Sequence, residues 1–118
     1  MAKYLILIYG DEQKWADMSD SEQQKLNEAH IAFRDAAGDA VLGGHELEPV
    51  STATTLRADA TGRLSPTDGP FLETKEGLGG YYVLEAADLD EVISLAGRFR
   101  EVYAGHSAVE IRPIVVRS

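Results

Sequence analysis

The sequence predicts an α+β fold in a single domain over residues 1–118. Three observations lead there. Two capped amphipathic helix patterns alternate with period-two apolar runs, in the order strand, helix, strand pair, strand, helix, strand. That order is the split-βαβ, ferredoxin-like arrangement, with a β-hairpin inserted before the third core strand. The first run and the run at 78–85 carry apolar residues on both faces, as strands covered on two sides do. Two helices can cover only one face of such a sheet, so a homodimer with the two sheets face to face is predicted.

Residues 2–9 place Tyr4, Ile6 and Ile8 on one face and Leu5, Leu7 and Tyr9 on the other, a central strand. Residues 10–18 read as a polar connection carrying the only tryptophan, Trp15, in the role of a packed lid or interface residue. Ser19-x-x-Glu22 is a capping box and Gly38 a stop, which sets a helix over 20–37. Its apolar stripe is Leu26, Ala29, Phe33, Ala36 and Ala37, and His30 falls on that stripe, facing the sheet.

Ala40-Val41-Leu42 is a short strand, with Gly43-Gly44-His45 as the turn that ends it. Residues 51–57 form a β-rich run, Asp59–Gly62 a hairpin turn and 63–65 a short return strand. Asp68-Gly69-Pro70 is a strong turn signal: Asp bonds its own backbone, Gly permits positive φ and Pro fixes φ. Residues 78–85 form the next strand, with Gly79-Gly80 marking a bulge or close approach. Asp88-x-x-Glu91 caps a second helix whose buried stripe is Leu89, Val92, Ile93, Ala96 and Phe99. Residues 109–116 form the last strand, and Pro113 places it at an edge.

Twenty acidic against 11 basic residues give a net charge of −9, which argues against nucleic acid and anionic membrane surfaces as partners. With no cysteine, disulfides and thiolate chemistry are excluded. The first apolar run is too short for a signal peptide or membrane span, so a cytoplasmic protein is expected.

The densest concentration of chargeable and special-geometry residues is 68–82. His30 is the residue suited to proton transfer near pH 7, and Asp68 at its turn is the carboxylate that would orient it. Together they are the candidate catalytic pair. Phe71, Glu73, Lys75 and Glu76 in the loop, Tyr82 on the next strand and Arg112 on the last are the candidate ligand contacts, with Lys75 or Arg112 holding an anionic group. The bland alternatives stay open. A lone histidine on an apolar stripe is more often a hydrogen-bonded core residue, Glu73 to Glu76 reads equally as a solvated loop, and Glu110-x-Arg112 as a local ion pair. Three scattered histidines have no metal-ligand spacing, and no metal or organic cofactor is expected.

The run Asp68-Gly69-Pro70-Phe71, Glu73-Thr74-Lys75-Glu76 and Leu78-Gly79-Gly80-Tyr81-Tyr82 resembles the signature of YCII-related proteins of the DGPF type. Ala29-His30-x-Ala32-Phe33, Leu42-Gly43-Gly44-x-x-Leu47 and Val109-Glu110-Ile111-Arg112-Pro113 match the same pattern, so the resemblance spans nearly the whole chain. It implies a bacterial dimer of the dimeric α/β-barrel type with a His–Asp centred pocket, His30 being the matching histidine. One departure stands out. Where relatives often carry Asp-Pro after the second helix, this chain reads Arg98-Phe99-Arg100-Glu101, which leaves Asp68 as the aspartate expected beside His30. Two functions are expected: a cofactor-independent isomerase or lyase acting on an anionic metabolite, or a non-catalytic ligand-binding or regulatory module, which the resemblance links to an extracytoplasmic-function sigma factor; a purely structural dimer is the remaining alternative.

Overall fold

A computed structural model describes residues 1–117 of the chain. In chain order the elements are strand β1 (Ala2–Asp11), a short helix α1 (Glu12–Ala16), helix α2 (Asp20–Ala37), strands β2 (Val41–Glu46), β3 (Thr54–Ala58), β4 (Leu64–Asp68) and β5 (Glu76–Ala86), helix α3 (Leu89–Ala96) and strand β6 (Ser107–Pro113). The core sheet has the order β2-β5-β1-β6 with every neighbour antiparallel, which is the ferredoxin-like topology. Strands β3 and β4 pair only with each other, as the inserted hairpin.

The capping box behaves as its spacing requires. Ser19 Oγ accepts the Glu22 N–H at 3.2 Å, and Gly38 closes α2 with φ 55°, a value that favours glycine. On α2 only Phe33 is fully buried, with Leu26, Ala29, His30 and Ala37 half-buried beside it. Ala36, expected on the stripe, is exposed. On α3 the buried residues are Val92 and Ala96, with Phe99 beyond its end, while Leu89 and Ile93 stand largely in solvent. The helix is too short to hide five apolar positions against one sheet.

These helices cover one face of the sheet. Tyr4, Ile6, Phe33, Leu84, Val92 and Phe99 form the core between the layers. The register places Leu5 opposite Val83 and Leu7 opposite Tyr81, on the face turned away from the core that α2 and α3 cover. The molecule is accordingly thin, 50 × 46 × 20 Å. Its radius of gyration, 16.4 Å, exceeds the value of about 13–14 Å usual for this length. The hairpin is the reason: Leu56, Leu64 and every residue of β4 are exposed.

Three local expectations are corrected. Gly43, Gly44 and His45 do not form a turn but lie within β2, paired along β5. A side chain at Gly44 would meet the Tyr81 carbonyl, so glycine here serves close strand approach. The connection after β1 contains α1, capped by Asp11, whose carboxylate accepts the N–H groups of Gln13 and Lys14. The last strand stops at Pro113, short of Val115. The bulge falls where the glycines predicted it: Ile8 pairs with Gly80 and Tyr9 with Leu78, leaving Gly79 as the extra residue. No helix of the described residues is long and apolar enough to cross a membrane.

Candidate functional site

The chemistry gathers where α2 and the turn after α3 meet the helix-covered face of the sheet. His30 sits one turn after Leu26 and one before Phe33, so its ring enters the layer between helix and sheet, with 17% of its side chain exposed. Nδ1 lies 2.8 Å from the Tyr82 hydroxyl on β5, and Nε2 lies 2.9 Å from Glu101 Oε2. The Arg34 guanidinium, one turn further along α2, donates to the same Tyr82 oxygen at 3.3 Å. Phe99 and Phe33 pack around the row, with Phe99 centred 4.7 Å from the His30 ring.

One proton arrangement satisfies this row throughout. Burial holds the Tyr82 phenol above its ordinary value of 10.0, so it stays protonated and donates to His30 Nδ1. The ring proton is then on Nε2 and is donated to Glu101. Among the described residues Glu101 is the one charged side chain that is fully buried, at 5% exposure, and its Oε1 has no hydrogen-bond partner there. A buried carboxylate oxygen without a partner costs free energy that a bound hydroxyl or N–H would return.

Glu101 also lines a cleft of about 230 Å³. Trp15, Met18 and Leu26 give that cleft an apolar wall. Its polar lining includes Arg100, His106 and Ser107. Trp15 Nε1 donates to Ser107 Oγ at 3.0 Å, and His106 Nδ1 is 2.9 Å from the same oxygen. Gly10 and Gly79 make room for the indole: a Cβ at either would overlap the Trp15 ring.

The carboxylate beside His30 is therefore Glu101, at the position where the sequence departs from its resemblance, and not Asp68. Both ring nitrogens of His30 are engaged, while Asp68 is exposed at the end of β4, paired in register with Thr54. Of the expected ligand contacts only Tyr82 joins the His30 row. Phe71 is 67% exposed, stacked under Arg57, and Glu73, Lys75 and Glu76 are exposed on the segment that leaves the hairpin. Arg112 is paired with Glu110 at 2.8 Å on the uncovered face of the sheet. The cation that lines the cleft is Arg100. Sequence reasoning missed Glu101, Arg100, Ser107 and His106; Glu101 stands two residues after Phe99, which the stripe of the second helix places toward the core. Among the described residues no three metal-ligating side chains converge.

Comparison with known proteins gives three results. A family model described as the YCII-related domain matches residues 2–115. An uncharacterized protein of Rhizobium meliloti (strain 1021) is 32% identical over 115 residues, covering 96% of this chain and 92% of that one. Among solved structures, 5-chloro-2-hydroxyhydroquinone dehydrochlorinase (TftG) from Burkholderia phenoliruptrix AC1100, in complex with 2,5-dihydroxybenzoquinone, is 23% identical, with 92% of this chain and 90% of that chain covered and a TM-score of 0.42.

Proposed function

The chain belongs to the YCII-related family, and on that premise we propose that its cleft binds a small anionic metabolite and moves a proton on it, in the manner of a cofactor-independent isomerase or lyase. The observation that carries this reading is the unpartnered Oε1 of Glu101, buried in a residue that lines the cleft, with His30 held against the other oxygen. Glu101 is the group that takes the proton. His30, fixed by Tyr82 and Arg34, orients the carboxylate and donates to it, so charge building or fading on Glu101 is answered within the row. Arg100 at the cleft supplies the countercharge for the ligand.

The test is solvent-deuterium exchange followed by NMR over a panel of small oxo and hydroxy acids. Exchange into at least one member, abolished by Glu101→Gln, is the expected result. No exchange across the panel overturns proton transfer.

One observation favours a second reading, a ligand-binding or regulatory module without catalysis. Both nitrogens of His30 are already satisfied inside the fold, as in a structural core histidine. A ligand that binds equally well to wild type and Glu101→Gln, with no exchange in either, would support that reading. A partner such as a sigma factor would then be sought by binding to the purified factor.

The homodimer belongs to the same proposal. Half-buried Leu5, Tyr81 and Val83, with buried Leu7 among them, make an apolar face that neither α2 nor α3 covers, and a second copy across a two-fold axis would cover it.

A further inference from the structure

We infer that His106 is a second ligand-facing group of the cleft, donating from Nε2, and that the ligand is consequently a compact hydroxycarboxylate held at two points. This rests on the cleft being the binding site, and it adds the chemical class of what is bound.

The proton on His106 follows from counting donors. An indole N–H can only donate, so Ser107 Oγ accepts from Trp15 at 3.0 Å. The hydroxyl hydrogen of Ser107 then has His106 Nδ1, 2.9 Å away, as its acceptor. The opposite tautomer would leave that hydrogen without an acceptor among the described residues. Nδ1 accepts, and the imidazole proton stands on Nε2, which has no partner among the described residues.

The row is built rigidly. Gly10 and Gly79 clear the sheet end for the indole, and a Cβ at Gly10 would also stand 2.5 Å from Ser107 Oγ. The His106 carbonyl accepts the Asp11 N–H at 2.9 Å, and the Ser107 N–H donates to the Ala104 carbonyl at 3.1 Å. The imidazole is thus fixed by its backbone and by Nδ1, with Nε2 as its free end.

The cleft lining then brings together an unpaired donor, His106 Nε2–H, and Glu101, whose buried Oε1 has no partner among the described residues. Arg100 adds a guanidinium that forms no ion pair among the described residues. A hydroxyl on the ligand satisfies Glu101, and a carboxylate satisfies His106 and Arg100 together. The apolar remainder lies against Trp15 and Leu26. At about 230 Å³ the cleft falls just under the common range for ligand pockets, about 300–1,000 Å³, which favours a compact molecule.

Three probes separate the two points: mandelate carries both groups, phenylacetate lacks the hydroxyl, and 1-phenyl-1,2-ethanediol lacks the carboxylate. Trp15, the only tryptophan, reports binding by its emission. Mandelate should bind about tenfold or more tightly than either truncated probe. His106→Ala should bring mandelate down to the level of the diol without changing diol binding, and Ser107→Ala should weaken mandelate several-fold while the imidazole remains. Long-range nitrogen-15 NMR of the free protein should place the His106 proton on Nε2, and on both nitrogens in Ser107→Ala. A proton on Nδ1 in the wild type overturns the inference without any ligand. So does mandelate binding that responds to Glu101→Gln but not to His106→Ala, a result that would leave the proposed proton transfer standing. If none of the probes alters Trp15 emission, the ligand class falls, while deuterium exchange decides the catalytic reading separately.

Discussion

His30 Nε2 and Glu101 Oε2 stand 2.9 Å apart although 71 residues separate them in the chain. The pair joins the middle of α2 to the turn after α3, and both side chains are largely withdrawn from water. Breaking such a pair from one side strands the remaining polar group, which is costlier than never having built it. Glu101→Gln keeps a carbonyl for the His30 N–H and should stay within about 1 kcal/mol of wild type. Glu101→Leu leaves that N–H buried and alone and should cost about 2–3 kcal/mol. Urea unfolding midpoints of the three proteins decide this, and equal losses for both variants would show that the hydrogen bond contributes nothing.

Tyr82 gives a pH signature with a definite sign. Its phenol is held above 10.0, by burial first, with Arg34 pulling the other way. The native state therefore binds this proton more tightly than the unfolded chain does. The resulting stability is fully present below about pH 10 and is lost as pH rises through the native value. Tyr82→Phe should cost about 1 kcal/mol at neutral pH through the hydroxyl shared by His30 and Arg34. That gap should hold steady from pH 7 to 9 and shrink above pH 10. A gap that widens in alkali would contradict the assigned proton arrangement.

Much of the fold was legible because its signals are local. Ser19, Glu22 and Gly38 bound α2 through contacts within one turn, and the two-faced apolarity of β1 and β5 follows from period two alone. The site was half legible. Periodicity placed His30 toward the sheet, but its partner comes from another part of the chain, and spacing carries no information on such a meeting. Asp68 drew attention because turn chemistry and charge coincide there, yet the hairpin that holds it extends away from the core. Glutamate is almost never fully buried unless paired, so nothing in the sequence marked Glu101 as the partner of His30. Only the packing of Phe99 and the turn Arg100–Val102 bury Glu101.

Gly79 is the strand residue through which the sheet controls the cleft. It is the bulged position of β5, and a Cβ there would run into the six-membered ring of Trp15. Gly79→Ala should therefore displace the indole and break its bond to Ser107, costing about 1–3 kcal/mol as overpacking does. Trp15 emission should shift toward that of a solvated indole, and any ligand of the cleft should bind less tightly. Gly43→Ala, a strand position with nothing within 4 Å of the added carbon, is the control that should leave both readouts unmoved.

The uncovered sheet face makes the last prediction. Leu5 and Val83 are cross-strand neighbours there, beside Leu7, which is only 8% exposed even in the single chain. Replacing the pair together, Leu5→Lys with Val83→Glu, sets opposite charges on adjacent strands, where they can pair within the sheet. The same two charges lie in the middle of a face that a second copy would cover, where desolvating them is costly. The wild-type protein should scatter light as twice the 12.8 kDa chain at micromolar concentration, and the double variant should remain folded as a monomer. Circular dichroism separates that outcome from unfolding. A wild-type monomer would remove the homodimer outright, and an undiminished dimer in the double variant would move the contact to some other surface, with the exposed apolar residues of the hairpin, Leu56 and Leu64, the next to be charged.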